Sequence, residues 1–203
     1  MAGIRCLGRP ASRDAGAASG RRCAQLVARG PRQSELASEK RGSAAGPNPT
    51  DRGKPGTKRH LVVDANGTPL DLTLTGANCN DSRMLAATLD AVPGVRTGRR
   101  GRARRRPDKL HADKGYDHRR CLDGSRCRRE CRARSITPRI ARRGIESSER
   151  LGRHRWIVER TLAWLARFRR LTIRYEPRVD LHLAFTTLAC VLICRAQINR
   201  FCP

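Results

Sequence analysis

The sequence predicts an α/β domain behind a loose N-terminal segment, and three observations lead to this fold class. The residues Leu, Ile, Val and Phe are unevenly spread, because positions 1–57 hold five of the 38 and positions 58–203 hold the others. Two β-rich segments flank Asn66-Gly67, which is the pattern of a β-hairpin. Between positions 153 and 168, apolar residues recur with the helical period. Strands mixed with helices on this scale favour one α/β domain.

The first 45 residues differ in composition from the rest. They are mostly Ala, Gly, Arg and Ser without a sustained apolar period, so we expect a disordered basic tail over 1–45 and a folded domain over 46–203. Pro and Gly cluster in positions 46–56, a composition that forms neither a helix nor a central strand. This segment is therefore predicted to be the linker into the domain.

Local patterns predict the elements that follow. Asn80 or Asp81 is a good cap for the helix after the hairpin. Pro138 lies within a weak strand pattern, which places that strand at a sheet edge. The predicted elements are strands over 60–64, 69–75, 109–113 and 136–140, and helices over 81–91, from about 117 with a break at 123–125, over 153–168 and over 181–198.

The charge of the chain indicates an anionic partner. The 44 Lys and Arg residues exceed the 18 Asp and Glu residues by 26, and such self-repulsion is relieved by binding an anion such as nucleic acid. Seven Arg occur between positions 96 and 106, a density that no packed element can bury. We therefore predict DNA contacts from a basic set: Lys54, Lys58, Arg99, Arg100, Arg102, Arg104, Arg105, Arg106, Arg139, Arg142 and Arg143.

Membrane and secretion signals are weak. The longest apolar run near the C-terminus covers 11 residues, 184–194, whereas crossing a bilayer takes about 20. The residues after Met1 lack the apolar stretch of a secretory signal, and the nine Cys are odd in number. We therefore expect a cytoplasmic, nucleoid-associated protein with free thiols and no spanning helix.

Two carboxylates stand out in this cationic chain. Asp113 ends a predicted strand and Glu159 lies on a predicted helix, and divalent-metal chemistry on phosphodiesters requires convergent oxygen ligands on rigid elements. The alternative is that Asp113 is an ordinary turn residue and that Glu159 pairs with Arg155 one helical turn away. Spacing alone leaves both open. Trp156, on the otherwise polar side of this helix, suggests that this side is also covered.

Several motifs together resemble the DDE transposases of bacterial insertion sequences, in particular the insertion-sequence-five group. The resemblance covers about residues 46–200. Its motifs are Asn48-Pro49-Thr50-Asp51-Arg52-Gly53-Lys54-Pro55-Gly56, His60-Leu61-Val62-Val63-Asp64, Ala77-Asn78 with Asp81-Ser82, His111-Ala112-Asp113-Lys114-Gly115-Tyr116-Asp117, Thr137-Pro138-Arg139-Ile140-Ala141-Arg142-Arg143-Gly144, Arg155-Trp156-Ile157-Val158-Glu159-Arg160-Thr161 with Trp164-Leu165, and Phe168-Arg169-Arg170-Leu171.

The resemblance implies a ribonuclease-H-like mixed sheet flanked by helices, in which three carboxylates hold two Mg²⁺ ions for DNA cleavage and strand transfer at insertion-sequence ends. Asp113 matches the second Asp of the family and Glu159 matches its Glu, so these two would be the metal ligands. Arg155 fits the Arg four residues before that Glu and would contact a phosphate or a carboxylate. Gly152 and Ala166 replace an aromatic and a basic residue of the family pattern. DNA ends, target DNA and a possible homo-oligomer on DNA are the implied partners.

The first Asp of the family has no counterpart. Its place falls around Arg32-Gln33-Ser34-Glu35, upstream of the Pro- and Gly-rich segment, and holds no Asp. Glu35 could replace it only if its strand forms, and Asp64 lies one strand too late. We therefore expect a truncated or frameshifted copy whose sheet is incomplete at the first strand, which binds DNA without efficient transposition.

Charge alone supports a second function class. A non-catalytic basic protein that coats nucleic acid would have the same composition, and metal-dependent scission distinguishes it from a transposase. A third possibility, an open reading frame whose product is degraded, shares every sequence feature with the first.

Overall fold

The computed structural model of the chain describes residues 23–26, 34–39, 42–94, 103, 105–117, 123–142, 145 and 148–201. Its strands are β1 Cys23–Leu26, β2 Glu35–Ala37, β3 Gly46–Pro47, β4 Pro55–Asp64, β5 Pro69–Gly76, β6 Lys109–Ala112 and β7 Thr137–Ile140. Its α-helices are α1 Asp81–Ala91, α2 Asp123–Ala133, α3 Ser148–Ala166 and α4 Val179–Phe201, with 3₁₀ turns at Lys114–Tyr116 and Arg169–Leu171.

All seven strands form one mixed sheet. The strand β4 pairs antiparallel with β5 on one edge and with β1 on the other, and β1 continues in parallel to β6 and then β7. The predicted hairpin is confirmed as β4 and β5, and the Asn66-Gly67 turn has Gly67 at φ 84°, where glycine is favoured. The expected α/β class is confirmed.

The strands β1 and β2 correct the expectation of a disordered stretch up to residue 45 and of a missing first strand. Both lie end to end along the same edge of β4, with Leu26 opposite Val62 and Glu35 opposite Lys58. The segment β1 is only four residues long, but its backbone pairs on both sides, which satisfies the facing edges of β4 and β6. Main-chain pairing of this kind requires no apolar pattern, which explains why this strand could not be predicted from positions 23–26 alone.

Helices cover both faces of the sheet, and each face has its own apolar core. Val62 lies in the α1–α2 core, which the helices α1 and α2 form with β4, β6 and β7. Its neighbours Leu61 and Val63 lie in the α3–α4 core on the opposite face. Successive side chains of a strand point to opposite faces, so β4 contributes to both cores.

Most predicted helices are present, with one clear difference. Asn80 caps α1 by accepting a hydrogen bond from Ser82 N, as predicted. The break expected at 123–125 is instead the beginning of α2, and residues 118–122 lie outside the described part. Pro138 lies in β7 at the sheet edge, in agreement with the prediction.

The C-terminal helix is longer than its apolar run indicated. Within α4, positions 179–199 are long and apolar enough to cross a bilayer by length and composition, and they are largely unburied. A core helix of a soluble protein passes the same test, so this property is weak support for a membrane span. The helix is therefore about twice as long as the 11-residue apolar run at 184–194.

Candidate functional site

Asp113 follows the last residue of β6 and begins the 3₁₀ turn Lys114–Tyr116. Its backbone is extended, and its carboxylate accepts a hydrogen bond from Lys114 N at 2.7 Å. Tyr116 is the last residue of this turn and is fully buried, and this burial raises the pKa of its hydroxyl well above the usual value. A carboxylate has about four acceptor positions, so this capping bond leaves Asp113 able to bind a further group.

Glu159 lies on α3 and forms an ion pair with Arg155. The Arg155 Nε donates to Glu159 Oε1 at 2.7 Å, and both side chains are about 40 to 45% exposed. The pair has the i, i+4 spacing that the alternative interpretation required. Arg155 therefore occupies the position expected for a partner of this carboxylate.

The alternation of side chains places these two carboxylates on the same side of the sheet. Leu110 and Ala112 belong to the α1–α2 core, so Asp113, the next residue in the alternation, follows on the other side. Val158 belongs to the α3–α4 core and is adjacent to Glu159 in α3. Asp113 and Glu159 therefore share the α3 side.

The two carboxylates nevertheless lie at different heights along the strands. The residues after Glu159 contact the β4–β5 turn: Arg160 Nη2 donates to Asn66 O at 2.5 Å and Thr161 Oγ1 to Gly67 O at 2.8 Å. Through β1, Leu110 is level with Asp64 and Ala112 is level with Val62, so Asp113 lies on the far side of Val62 from Asp64. The β4–β5 turn lies beyond Asp64, towards the opposite end of the strands. No described hydrogen bond or ion pair joins Asp113 to Glu159.

A buried polar cluster lies on the opposite face, between β2, β4 and α1. The Lys58 ammonium is 3.6 Å from Glu35 and 3.5 Å from Asp81, and it donates to Cys79 O at 3.2 Å. His60 lies beside Asp81, with 3.3 Å between Nδ1 and the carboxylate. The cluster borders a cavity of about 190 Å³ that Gly115, from the turn after Asp113, also lines. The predicted surface role of Lys58 is wrong, since the side chain is buried and compensated by carboxylates.

Glu35 is on a strand, yet it does not join the two candidate carboxylates. It pairs opposite Lys58, and alternation along β4 puts Lys58 on the side of Val62 and the α1–α2 core. Its carboxylate accepts from the Thr50 hydroxyl at 2.6 Å. A replacement for the first Asp would have to lie on the other face, beside Asp113.

The described residues do not fit a two-metal centre. Within that part of the chain, no three Asp, Glu, His or Cys side chains are grouped closely enough to hold a metal ion. Asp113 and Glu159 supply two carboxylates without a contact between them, whereas a pair of divalent ions needs several convergent oxygen ligands. The expected Mg²⁺ site is therefore not assembled here.

Part of the predicted DNA-contacting set is exposed on the Asp113 side. Arg139 lies on β7 opposite His111 and alternates with the buried Ile140, so its exposed side chain is on the same side as His111 and Asp113. The other exposed members in the described part are Lys54, Arg105, Arg106 and Arg142. Five members lie outside it: Arg99, Arg100, Arg102, Arg104 and Arg143.

Two arrangements of cationic side chains were not predicted from the sequence. The Arg160 guanidinium lies between the rings of Trp156 and Trp164, 4.4 and 4.8 Å from their centroids, which the i, i+4, i+8 spacing could have indicated. Trp156 is 49% exposed, so the suggestion that this helix face is covered is wrong. Arg174 is fully buried and donates hydrogen bonds to residues 43, 44 and 57 and to the residues just before α4. Nothing in its local sequence indicated this.

Two comparisons with known proteins match this chain to transposases. A family model described as transposase DDE domain matches residues 27–194. A curated Burkholderia cepacia protein named as a transposase for insertion sequence element IS402 is 52% identical over 155 residues, which is 76% of this chain and 70% of that protein. No solved structure matches the chain.

Proposed function

The chain belongs to the DDE transposases of insertion sequences, and we propose that it binds insertion-sequence DNA while cleaving it poorly. The observation that carries this proposal is the arrangement of the α3 side of the sheet. Two candidate carboxylates share that side with an exposed Arg, and the carboxylate that could replace the missing third one lies on the opposite side.

The sheet topology supports a ribonuclease-H-like core. Its main path runs β5, β4, β1, β6, β7, with β4 antiparallel to β1 and the last three strands parallel. In such a core the carboxylates would lie on the central strand, at the end of the next strand and on a helix. Asp113 and Glu159 occupy the last two of these places, and the described residues of the central strand contain no acidic residue.

The proposed role of each residue follows from its contacts. Asp113 has remaining acceptor capacity at the end of β6, and Glu159 is oriented by Arg155. Arg155 is almost half exposed, so it can exchange its carboxylate partner for a DNA phosphate at low cost.

DNA binding rests on the exposed cations. Arg139 and Arg142 flank the Asp113 side, and contacts of this kind to phosphates position DNA without reading its sequence. The net charge of +26 adds long-range attraction to both transposon ends and target DNA. Affinity is therefore expected to fall steeply with salt.

One experiment separates this proposal from an active transposase. Purified full-length chain, the Asp113→Asn variant and the Glu159→Gln variant are each incubated with supercoiled DNA and Mg²⁺ or Mn²⁺, and binding is measured in the same samples by electrophoretic retardation. We expect salt-sensitive binding by all three proteins with nicking at background level. Nicking by the wild type that both substitutions abolish would establish an active transposase. Binding lost in the folded wild type would contradict the proposal altogether.

A plain nucleic-acid coat is the second candidate, supported by the charge alone. It predicts equal affinity for duplex DNA and duplex RNA, because phosphate contacts do not require B-form grooves. A clear preference for DNA duplexes in competition would favour the transposase-derived surface.

A further inference from the structure

The outer face of α4 is the most apolar exposed surface in the described part of the chain. Its buried face packs on the α3–α4 core through Ala189 and Ile193. Around the rest of the helix, large apolar side chains are exposed at Leu181 (45%), Phe185 (40%), Leu188 (57%), Val191 (55%), Leu192 (42%) and Ile198 (62%). A contiguous apolar surface of this kind marks an interaction site.

The spacing of this face is that of a helix-pairing seam. Positions 181, 184, 188, 191, 195 and 198 follow one another at intervals of 3, 4, 3, 4 and 3 residues, and all six side chains are exposed. Leu, Ala, Leu, Val, Arg and Ile occupy them in that order. Intervals alternating between three and four residues keep one stripe facing a partner helix, as in two-helix packing.

We propose that this seam is the contact between two copies of the chain, with the two α4 helices antiparallel across a two-fold axis. The seam is self-complementary in that direction: Leu181 lies opposite Ile198 of the second copy, and Leu188 lies opposite Val191. A two-fold contact uses the same surface on both partners, so a self-complementary stripe is its signature.

The low charge of α4 favours a second copy of the chain as the partner, and the position of Arg195 favours the antiparallel direction. Positions 179–199 contain only Asp180 and Arg195 as Asp, Glu, Lys or Arg residues, although 31% of the chain is charged and its net charge is +26. Two such basic chains can meet along this stripe with little repulsion. A parallel pair would place Arg195 against Arg195, whereas the antiparallel pair places it opposite the small Ala184.

Sedimentation of the full chain tests this proposal, in about 0.3 M salt to limit nucleic-acid carryover. We expect association that depends on protein concentration. Leu188→Glu buries a carboxylate against Val191 of the second copy and should weaken association about tenfold or more. Ala163→Glu, at an exposed position of α3 outside the seam, is the matched control and should leave association unchanged. Circular dichroism of each variant verifies that it is folded.

Ala184→Glu makes the test specific for the antiparallel register. The introduced carboxylate lies opposite Arg195 of the second copy, so we expect association about threefold or more tighter, and weaker association again when Arg195→Glu is added. If only the apolar area of the seam mattered, both Ala184→Glu and Leu188→Glu would weaken association. Equal weakening by Ala184→Glu and Leu188→Glu, or a wild type that stays monomeric up to about 100 µM, would overturn the proposal. Monomeric wild type that binds phospholipid vesicles through Leu188 would also overturn it and assign the face to a membrane.

Discussion

The two sides of the sheet differ in how completely their helices cover them. On one side, α1 and α2 enclose a core that includes Leu85, Leu110 and Ile136, each no more than 2% exposed. On the other side, α3 and α4 cover β4 and β5, while Arg139 on β7 stays exposed. The covered side therefore maintains the fold, and the open side carries Asp113, Glu159 and the cations that could meet DNA.

This difference explains why a buried carboxylate on the covered side cannot replace the missing third metal ligand on the open side. Glu35 is 6% exposed and compensated by Lys58, but it belongs to the covered side. A charge on that side stabilises the junction of β2, β4 and α1. A charge on the open side can exchange partners with a ligand.

The largest expected effect concerns Arg174, which anchors the segments around α4. Its guanidinium donates to the carbonyls of Ser43, Ala44, Glu176 and Pro177 and to the hydroxyl of Thr57, at 2.7 to 3.2 Å. Arg174→Met leaves these buried acceptors unpaired and should lower the free energy of unfolding by about 4 kcal/mol, measured by urea denaturation. Arg178→Met removes an exposed Arg nearby and should not shift the transition. Similar curves for both variants would show that the α4 side does not depend on this anchor.

The next effect compares a position in the α1–α2 core with a position on the outer face of α4. Leu110→Ala opens a cavity in the α1–α2 core and should cost about 3 kcal/mol. Leu188→Ala, at a position 57% exposed on α4, should change the stability of dilute protein by less than about 0.5 kcal/mol. The two urea midpoints measure the contrast, and equal losses would show that the outer face of α4 is packed as tightly as the α1–α2 core.

A smaller effect is expected for DNA binding. Arg139→Gln and Arg142→Gln should each reduce the slope of log affinity against log salt by about 0.9, since each removes one phosphate contact. Fluorescence anisotropy with a labelled duplex measures this slope. Arg129→Gln, at an exposed position of α2 on the covered side, is the matched control. An equal reduction in all three variants would mean that DNA is bound by charge without a preferred side.

The smallest effect is a pH dependence of stability. Burial lowers the pKa of His182 below its usual value of 6.5, the Arg59 and Arg174 charges lower it further, and Glu176 opposes them. The unfolded chain therefore takes up a proton below about pH 6.5 that the folded chain does not, so this stability is present above pH 6.5 and is lost on acidification. Between pH 7.5 and 5.5, His182→Gln should flatten the fall of the urea midpoint seen in the wild type. An unchanged fall would contradict this assignment.

Local signals in the sequence predicted most of the elements, while pairing between distant segments could not be predicted. Asn66-Gly67 and Asn80 specify a turn and a helix cap by themselves, and both predictions are confirmed. The strand β1 has four residues, and only its neighbours β4 and β6 make it a strand. Lys58 looked like one more surface cation, because the carboxylates that bury it come from positions 35 and 81.

The open side carries two carboxylates without a third, and Mn²⁺ binding distinguishes this arrangement from a complete metal centre. Electron paramagnetic resonance of the full chain, with a short duplex present, measures bound Mn²⁺ without requiring activity. We expect no site with a Kd below about 1 mM that depends on both Asp113 and Glu159, because two carboxylates that do not converge hold a divalent ion weakly. Two Mn²⁺ ions bound at micromolar concentration and released by both Asp113→Asn and Glu159→Gln would contradict it.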